Sequence, residues 1–153
     1  MLNLKIQYYL KLIFIISLVS LISAFFIEYI LGYQPCNLCL VERIPYGLSL
    51  IILITNYILP KYEKFFIILL ILTFLFSLSI SFYHLGIEQG FFEESAVCGI
   101  QNSTDIISKE ELLKQLSENK NVSCKDVTFR VFGLSLTSIN IVISLIIIIL
   151  LIK

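Results

Sequence analysis

Apolar side chains fall along this chain in four long blocks, and polar ones gather in the gaps and in one extended stretch between the third and fourth blocks. Residues 12–31 make the first block. Its 20 positions, at about 1.5 Å each in a helix, match the roughly 30 Å hydrocarbon core of a bilayer. The second block ends at Leu59-Pro60, and counted from Ile44 it has only 16 residues, short for a span. Extending it back to Cys36 gives a span over 36–59. Pro35 then suits a first helical turn, whereas Pro45 either kinks a helix already running or marks a fresh start. Lys61-Tyr62-Glu63-Lys64 connects to a third span over 65–85. The stretch 87–130 is hydrophilic, with eight acidic and five basic side chains, and a fourth span follows over 131–152. The pattern predicts an all-α membrane protein, a bundle of four transmembrane helices in one membrane domain over 1–153, with a long loop on one face.

Inside that loop, Ser108-Lys109-Glu110-Glu111 has the form of a capping box, with Leu112, Leu113 and Leu116 as a narrow apolar stripe behind it. A short amphipathic helix over 109–118 is expected. Each span carries small or polar residues at helical spacing. Ser17, Ser20 and Ala24 lead towards Glu28; Pro45, Ser49 and Asn56 share a face; so do Thr73, Ser77, Ser81 and His84. Gly133, Thr137, Asn140 and Ser144 repeat the pattern in the fourth span. Such stripes let helices approach closely and satisfy polar groups inside a bundle.

Composition agrees: of 153 residues, 58% are hydrophobic and 14% charged, far from the balance of a soluble domain. Charged groups sum to zero without a basic cluster, so nucleic acid is not an expected partner. Lys5 and Lys11 precede the first block as in a signal peptide. The run continues through Phe25, Phe26 and Ile27, however, and Ile22 fits a cleavage site poorly, so the segment is expected to stay as an anchor. Lysines lie at the N-terminus, between spans two and three, and at Lys153. The positive-inside rule therefore places both termini in the cytoplasm. All four cysteines then face the opposite, oxidising side, where disulfides persist.

The chemistry centres on Pro35-Cys36-Asn37-Leu38-Cys39-Leu40-Val41-Glu42-Arg43. A disulfide between cysteines three apart constrains the unfolded chain little, so redox work is favoured over a passive staple. In a helix Arg43 is the i+4 neighbour of Cys39, where its charge can stabilise a thiolate or a reduced acceptor's oxygen. The plainer reading of Arg43 is pairing with Glu42 or with lipid headgroups. A zinc site would need two more ligands at suitable spacing. Cys98 and Cys124 are too far apart for a second knuckle and His84 is the only histidine, so no metal is expected. Four cysteines allow three connectivities. Cys98 and Cys124 read alone suggest a stapled loop; beside Cys36 and Cys39 on one membrane face they suggest a relay by thiol–disulfide exchange. His84 and Glu88, near the exported end of span three, are candidates to handle protons.

At this point the chain resembles the bacterial disulfide bond formation protein B (DsbB) family over nearly its whole length. The resemblance rests on the C-x-L-C with its Glu-Arg (Cys36, Leu38, Cys39, Glu42, Arg43) and on a Tyr-His-x-Gly-x-Glu piece (Tyr83, His84, Gly86, Glu88). It rests also on Cys124 ahead of Arg-x-x-Gly-Leu-Ser (Arg130, Gly133, Leu134, Ser135). It implies an enzyme of the bacterial inner membrane, a protein dithiol:quinone oxidoreductase. A periplasmic DsbA-like thiol oxidase would attack the Cys98 and Cys124 disulfide, with Cys98 forming the mixed disulfide. Cys124 would pass electrons to Cys36, freeing Cys39 as a thiolate beside ubiquinone or menaquinone from the membrane pool. Arg43, with Glu42 and His84, would hold that cofactor, and both disulfides are expected closed at rest. Two rivals are a conduit carrying electrons outward, which would want cysteines in the membrane or on its inner face, and a four-helix scaffold with a merely stapled loop.

Overall fold

The computed structural model describes residues 2–93, 98, 124–125, 130–131 and 133–152, without the side chains of 2–5 and 131. The amphipathic helix expected over 109–118 lies outside the described residues. Among the described residues four helices carry the fold: α1 (Leu2–Tyr29), α2 (Asn37–Ile58), α3 (Glu63–Glu88) and α4 (Leu136–Ile152). The first three are long and apolar enough to cross a membrane; α4 is as apolar but has only 17 residues.

Local chemistry sets each boundary. Helix α1 stops two residues short of the expected 31, where Gly32 takes a left-handed φ of 74° and the N–H groups of Ile30, Leu31 and Tyr33 close back on Phe26 and Ile27. Helix α2 begins one residue after Cys36, which caps it with its sulfur, and runs without a break through Pro45. The fresh-start reading of Pro45 therefore falls. Pro60 opens a single 3₁₀ turn, Pro60–Tyr62, that leads straight into α3. That helix continues to Glu88, three residues past expectation, and Gly90 at φ 78° lets the chain turn back. The N–H groups of Phe91 and Phe92 then meet the Gly86 carbonyl, and the Phe92 ring lies where a Gly86 Cβ would be.

The fourth span needs correction. Arg130–Val131 (β1) pairs antiparallel with Leu134–Ser135 (β2), so the helix starts at Leu136 rather than 131 and the chain is not wholly α. Gly133 belongs to this hairpin, at φ 84°, and not to the helical stripe assigned to it. Ser135 is the reason the helix begins where it does: its hydroxyl accepts the Ser138 N–H at 3.2 Å, an N-cap bond.

Packing runs α1 on α2, α2 on α3 and α3 on α4, with α4 returning to α1. At the end remote from the cysteines the core is apolar, built on Leu10, Ile13, Ile52, Leu53, Leu70, Phe74 and Ile147. The polar stripes face inward: Ser17, Ser49, Thr73, Ser77, Ser81, Thr137, Asn140 and Ser144 are all buried. Ser49 donates to Ser17 at 2.9 Å and Ser77 meets Ser144 at 3.3 Å, as close helix approach through small residues requires. Large apolar side chains such as Ile15, Ile51, Ile68, Phe76 and Ile149 cover the outside, as a lipid environment demands.

Candidate functional site

The site grows from the first turn of α2. As N-cap, Cys36 has an extended backbone and points its sulfur at the helix start, where it accepts the Cys39 N–H at 3.3 Å. That bond and the helix N-terminus favour a thiolate. The two sulfurs lie 2.7 Å apart and unbonded, so a disulfide length of about 2.05 Å needs a shift well under an ångström. The expectation that both disulfides are closed thus meets one open pair and one closed one. Cys98 and Cys124 are bonded, with Cα atoms 5.5 Å apart, and pack into one buried cluster with Cys36, Leu38 and Ile87, flanked by Cys39 and Tyr83. Residues 26 positions apart in the loop are thereby held against the head of α2.

Behind Cys36 stands His84, 1% exposed, with Nε2 3.6 Å from the sulfur. Its Nδ1 faces Glu42 Oε1 at 3.0 Å and Thr137 Oγ at 3.2 Å, while the Thr137 hydroxyl donates to Glu88 Oε1 at 2.6 Å. With Thr137 donating elsewhere, Nδ1–H is shared between Glu42 and Thr137, and Nε2 is left facing the Cys36 sulfur. The other Glu42 oxygen accepts Asn140 Nδ2–H at 3.1 Å; Asn140 also donates to Ser81 at 2.7 Å and accepts from the Tyr46 hydroxyl. A continuous hydrogen-bonded chain thus runs from Cys36 through His84, Glu42 and Asn140 to Tyr46. The Cys36 thiol, just outside the α2 span, is lowered to about 5, chiefly by the hydrogen bond from the Cys39 thiol and then by His84, against the cost of burial.

Arg43 points the other way. Neighbours in a helix are about 100° apart, so Glu42 turns into the bundle while Arg43 turns to α1, where it pairs with Glu28 and lies 5.3 Å over the Phe25 ring. The plainer reading of Arg43, a pair with Glu42, is therefore not what forms. A cavity of about 350 Å³ opens between α1, α2, α4 and the segment Tyr33 to Pro35. Its wall includes Ala24, Ile27, Leu136, Ile139 and Ile143, and Cys39, Glu42, Arg43, Tyr46 and Asn140 are among its polar groups, with Ser20, Ser23, Tyr33 and Gln34 on the same wall. Cys36 and His84 are not on that wall. Sequence reasoning named the four cysteines, Arg43, Glu42 and His84, but gave Tyr46 no role, Asn140 only a packing role, and Glu28 no partner. The readable signal for Glu28 was a carboxylate ending the small-residue stripe of α1, which requires a partner.

The family model described as disulfide bond formation protein DsbB matches residues 7–153. An uncharacterized protein of Rickettsia prowazekii (strain Madrid E), RP370, is 31% identical over 131 residues, covering 85% of this chain and 76% of its own length. No solved structure matches. With one cysteine pair at the head of an apolar helix of membrane-crossing length and the other in the loop packed against it, the chain belongs to the disulfide bond formation protein DsbB family of membrane oxidoreductases.

Proposed function

We propose that this protein re-oxidises a DsbA-type thiol oxidase on the exported face of the bacterial inner membrane and delivers the electrons to a membrane quinone, ubiquinone or menaquinone. The observation that carries this reading is that Cys39 and Arg43 line one apolar-walled cavity of about 350 Å³, directly beside the second cysteine of the ring pair. That volume lies within the range of roughly 300–1,000 Å³ for small-molecule sites, and a few polar groups on an apolar wall suit a flat ring with two oxygens. Arg43, whose guanidinium keeps N–H groups beyond the one on Glu28, is the group to hold one of those oxygens. A quinone there supplies an acceptor for two electrons and two protons.

The chain's own groups account for the rest. A partner thiolate attacks Cys98, forming a mixed disulfide and releasing Cys124 as a thiolate. Cys124 attacks Cys36 of the closed ring pair, and Cys39 leaves as a thiolate facing the cavity. The partner's second thiolate then resolves the mixed disulfide, and the freed Cys98 thiolate attacks Cys124, re-forming the loop disulfide and releasing Cys36, so that the ring pair holds the two electrons. Net, one dithiol becomes a disulfide, and two electrons and two protons pass on. His84 Nε2, 3.6 Å from the Cys36 sulfur and oriented by the Nδ1–H bond to Glu42, stabilises the Cys36 thiolate when it leaves. Both loop cysteines are buried, so the partner reaches Cys98 only after the loop shifts. The lysines at both termini and in the α2–α3 turn support cytoplasmic termini, with α4 as the fourth crossing. A DsbA-type partner is itself a strong oxidant, at about −120 mV, so a membrane acceptor must supply the drive.

Quinone reduction by the purified protein given a reduced DsbA-type partner, followed optically, tests the reading. Wild type should turn over; Cys39→Ser and Cys98→Ser should each lose at least about a thousandfold, as removal of a covalent nucleophile does. Turnover by Cys98→Ser with the protein partner would make the loop pair structural, and inert wild type with every quinone would return the scaffold reading.

A further inference from the structure

The described residues contain one group of donor atoms that the relay uses for other purposes: the sulfurs of Cys36 and Cys39 and a ring nitrogen of His84 all lie within 4.8 Å of one another. We propose that the open ring pair together with His84 is a binding site for a zinc-type divalent cation, present in the reduced protein and abolished by closing the Cys36–Cys39 disulfide. Ligand counting along the sequence gave no such site because Cys98 and Cys124 do not make a second knuckle and His84 is a single histidine, 48 positions from Cys36. Folding supplies what spacing did not.

The geometry fits. Around a tetrahedral zinc, sulfurs about 2.3 Å and a nitrogen about 2.0 Å from the metal stand about 3.7 Å apart for the S–S pair and about 3.5 Å for S–N. The Cys36 Sγ to His84 Nε2 distance is 3.6 Å. The Cys36 and Cys39 sulfurs, at 2.7 Å, separate by about 1 Å to reach the zinc value. A C-x-x-C on the first turn of a helix has that freedom at χ1, as zinc knuckles use it.

Support for the imidazole is independent of the sulfurs. Metal-bound histidines donate their other ring N–H to a carboxylate or carbonyl, which fixes the tautomer and raises ligand basicity. Here His84 Nδ1–H goes to Glu42 at 3.0 Å, and Asn140 in turn holds the Glu42 carboxylate at 3.1 Å. Nε2 is left facing the Cys36 sulfur. Glu88 Oε1, 3.8 Å from Nε2, is the nearest oxygen for a fourth position. Cys39 reaches the cavity wall, so a cation has a way in.

Binding moves no electrons. Whatever protons remain on the two sulfurs and on Nε2 pass to solvent, two metal–thiolate bonds and one metal–nitrogen bond form, and the cation keeps its charge. Once held, neither thiolate is free for exchange, so the site acts on the enzyme as a brake that engages only when the ring pair stays reduced. The inference concerns metal binding and stands whether or not the acceptor is a quinone.

Cobalt(II) is the probe, added to the purified full-length protein in detergent, fully reduced or with both disulfides closed. The expected result is thiolate-to-cobalt charge-transfer absorption and tetrahedral-type visible bands in the reduced sample alone, saturating at a single equivalent and bleached by zinc(II). A Cys98→Ser/Cys124→Ser variant should keep the bands and Cys36→Ser should lose them. Glu42→Gln, with all three ligands intact, should weaken cobalt binding about 10–100-fold. Equal bands in the oxidised protein, none in the reduced wild type, loss in the loop variant, or unchanged affinity in both Glu42→Gln and His84→Ala would each overturn the proposal.

Discussion

The two ends of the bundle are buried to the same degree by different means. Away from the cysteines, Leu10, Ile13, Leu70, Phe74 and Ile147 fill the core, and towards the middle polar contacts come as isolated serine pairs. At the cysteine end, Glu42, His84, Glu88, Thr137, Asn140 and Tyr46 form one connected set that ends on a sulfur. Lipid tails are as apolar as leucine, so the far end gains little from hiding apolar surface and depends on close fit. The cysteine end depends on each polar group keeping its partner, since one deletion strands the rest. Damage at one end should therefore read out as stability, and at the other as rate.

Several substitutions press on that contrast. Phe74→Ala opens a cavity at a position with no exposure and should cost about 3 kcal/mol of stability, roughly a hundredfold in the folded ratio. Turnover per folded molecule should stay near wild type, as equilibrium unfolding in mixed micelles alongside activity will tell. Glu42→Gln puts an amide NH₂ against either Asn140 Nδ2–H or His84 Nδ1–H. It should slow turnover about 10–100-fold, by analogy with loss of other groups that orient an imidazole, with a much smaller change in stability. Equal losses in both quantities would erase the distinction between the ends. Glu28→Gln frees Arg43 from its ion pair and should raise the KM for acceptor a few-fold, about 1 kcal/mol, with kcat nearly constant.

The smallest effect expected is a flat profile. A thiol lowered to about 5 is already thiolate at pH 6, so alkylation of Cys36 in the reduced protein should change less than about twofold between pH 6 and 8. An ordinary thiol near 8.5 would accelerate by well over tenfold across that interval. A steep rise would mean that Cys39 and His84 do not hold Cys36 as their distances suggest.

Much of the frame was legible because membrane spans and packing stripes are periodic. The spans at α2 and α3 were read to within three residues at each end, and every stripe residue of α3 is buried. What was not legible depended on direction around a helix or on single turns. Glu42 and Arg43 are adjacent in sequence, yet one bonds α3 and α4 and the other α1. Ser135 as a helix cap and Gly133 as a turn residue are signals carried by one residue each, and a hydropathy block ran straight over them. Of the site, the cysteines and Arg43 could be named from spacing. Tyr46 could not, because a tyrosine in an apolar run carries no sign of the asparagine 94 positions away that it meets.

The brevity of α4 has a consequence for the surrounding lipid. Its 17 residues reach about 25 Å, against roughly 30 Å of hydrocarbon. Where a crossing helix is shorter than the membrane, the bilayer thins around it or flanking residues stretch to make up the mismatch. Three of the four α4 residues on the cavity wall, Leu136, Ile139 and Asn140, belong to its first turn and a half. On the proposed reading, with α4 as the fourth crossing, thinning on that flank would bring the headgroup layer down beside the cavity, so that membrane thickness would become part of the rim a lipid-soluble acceptor must cross.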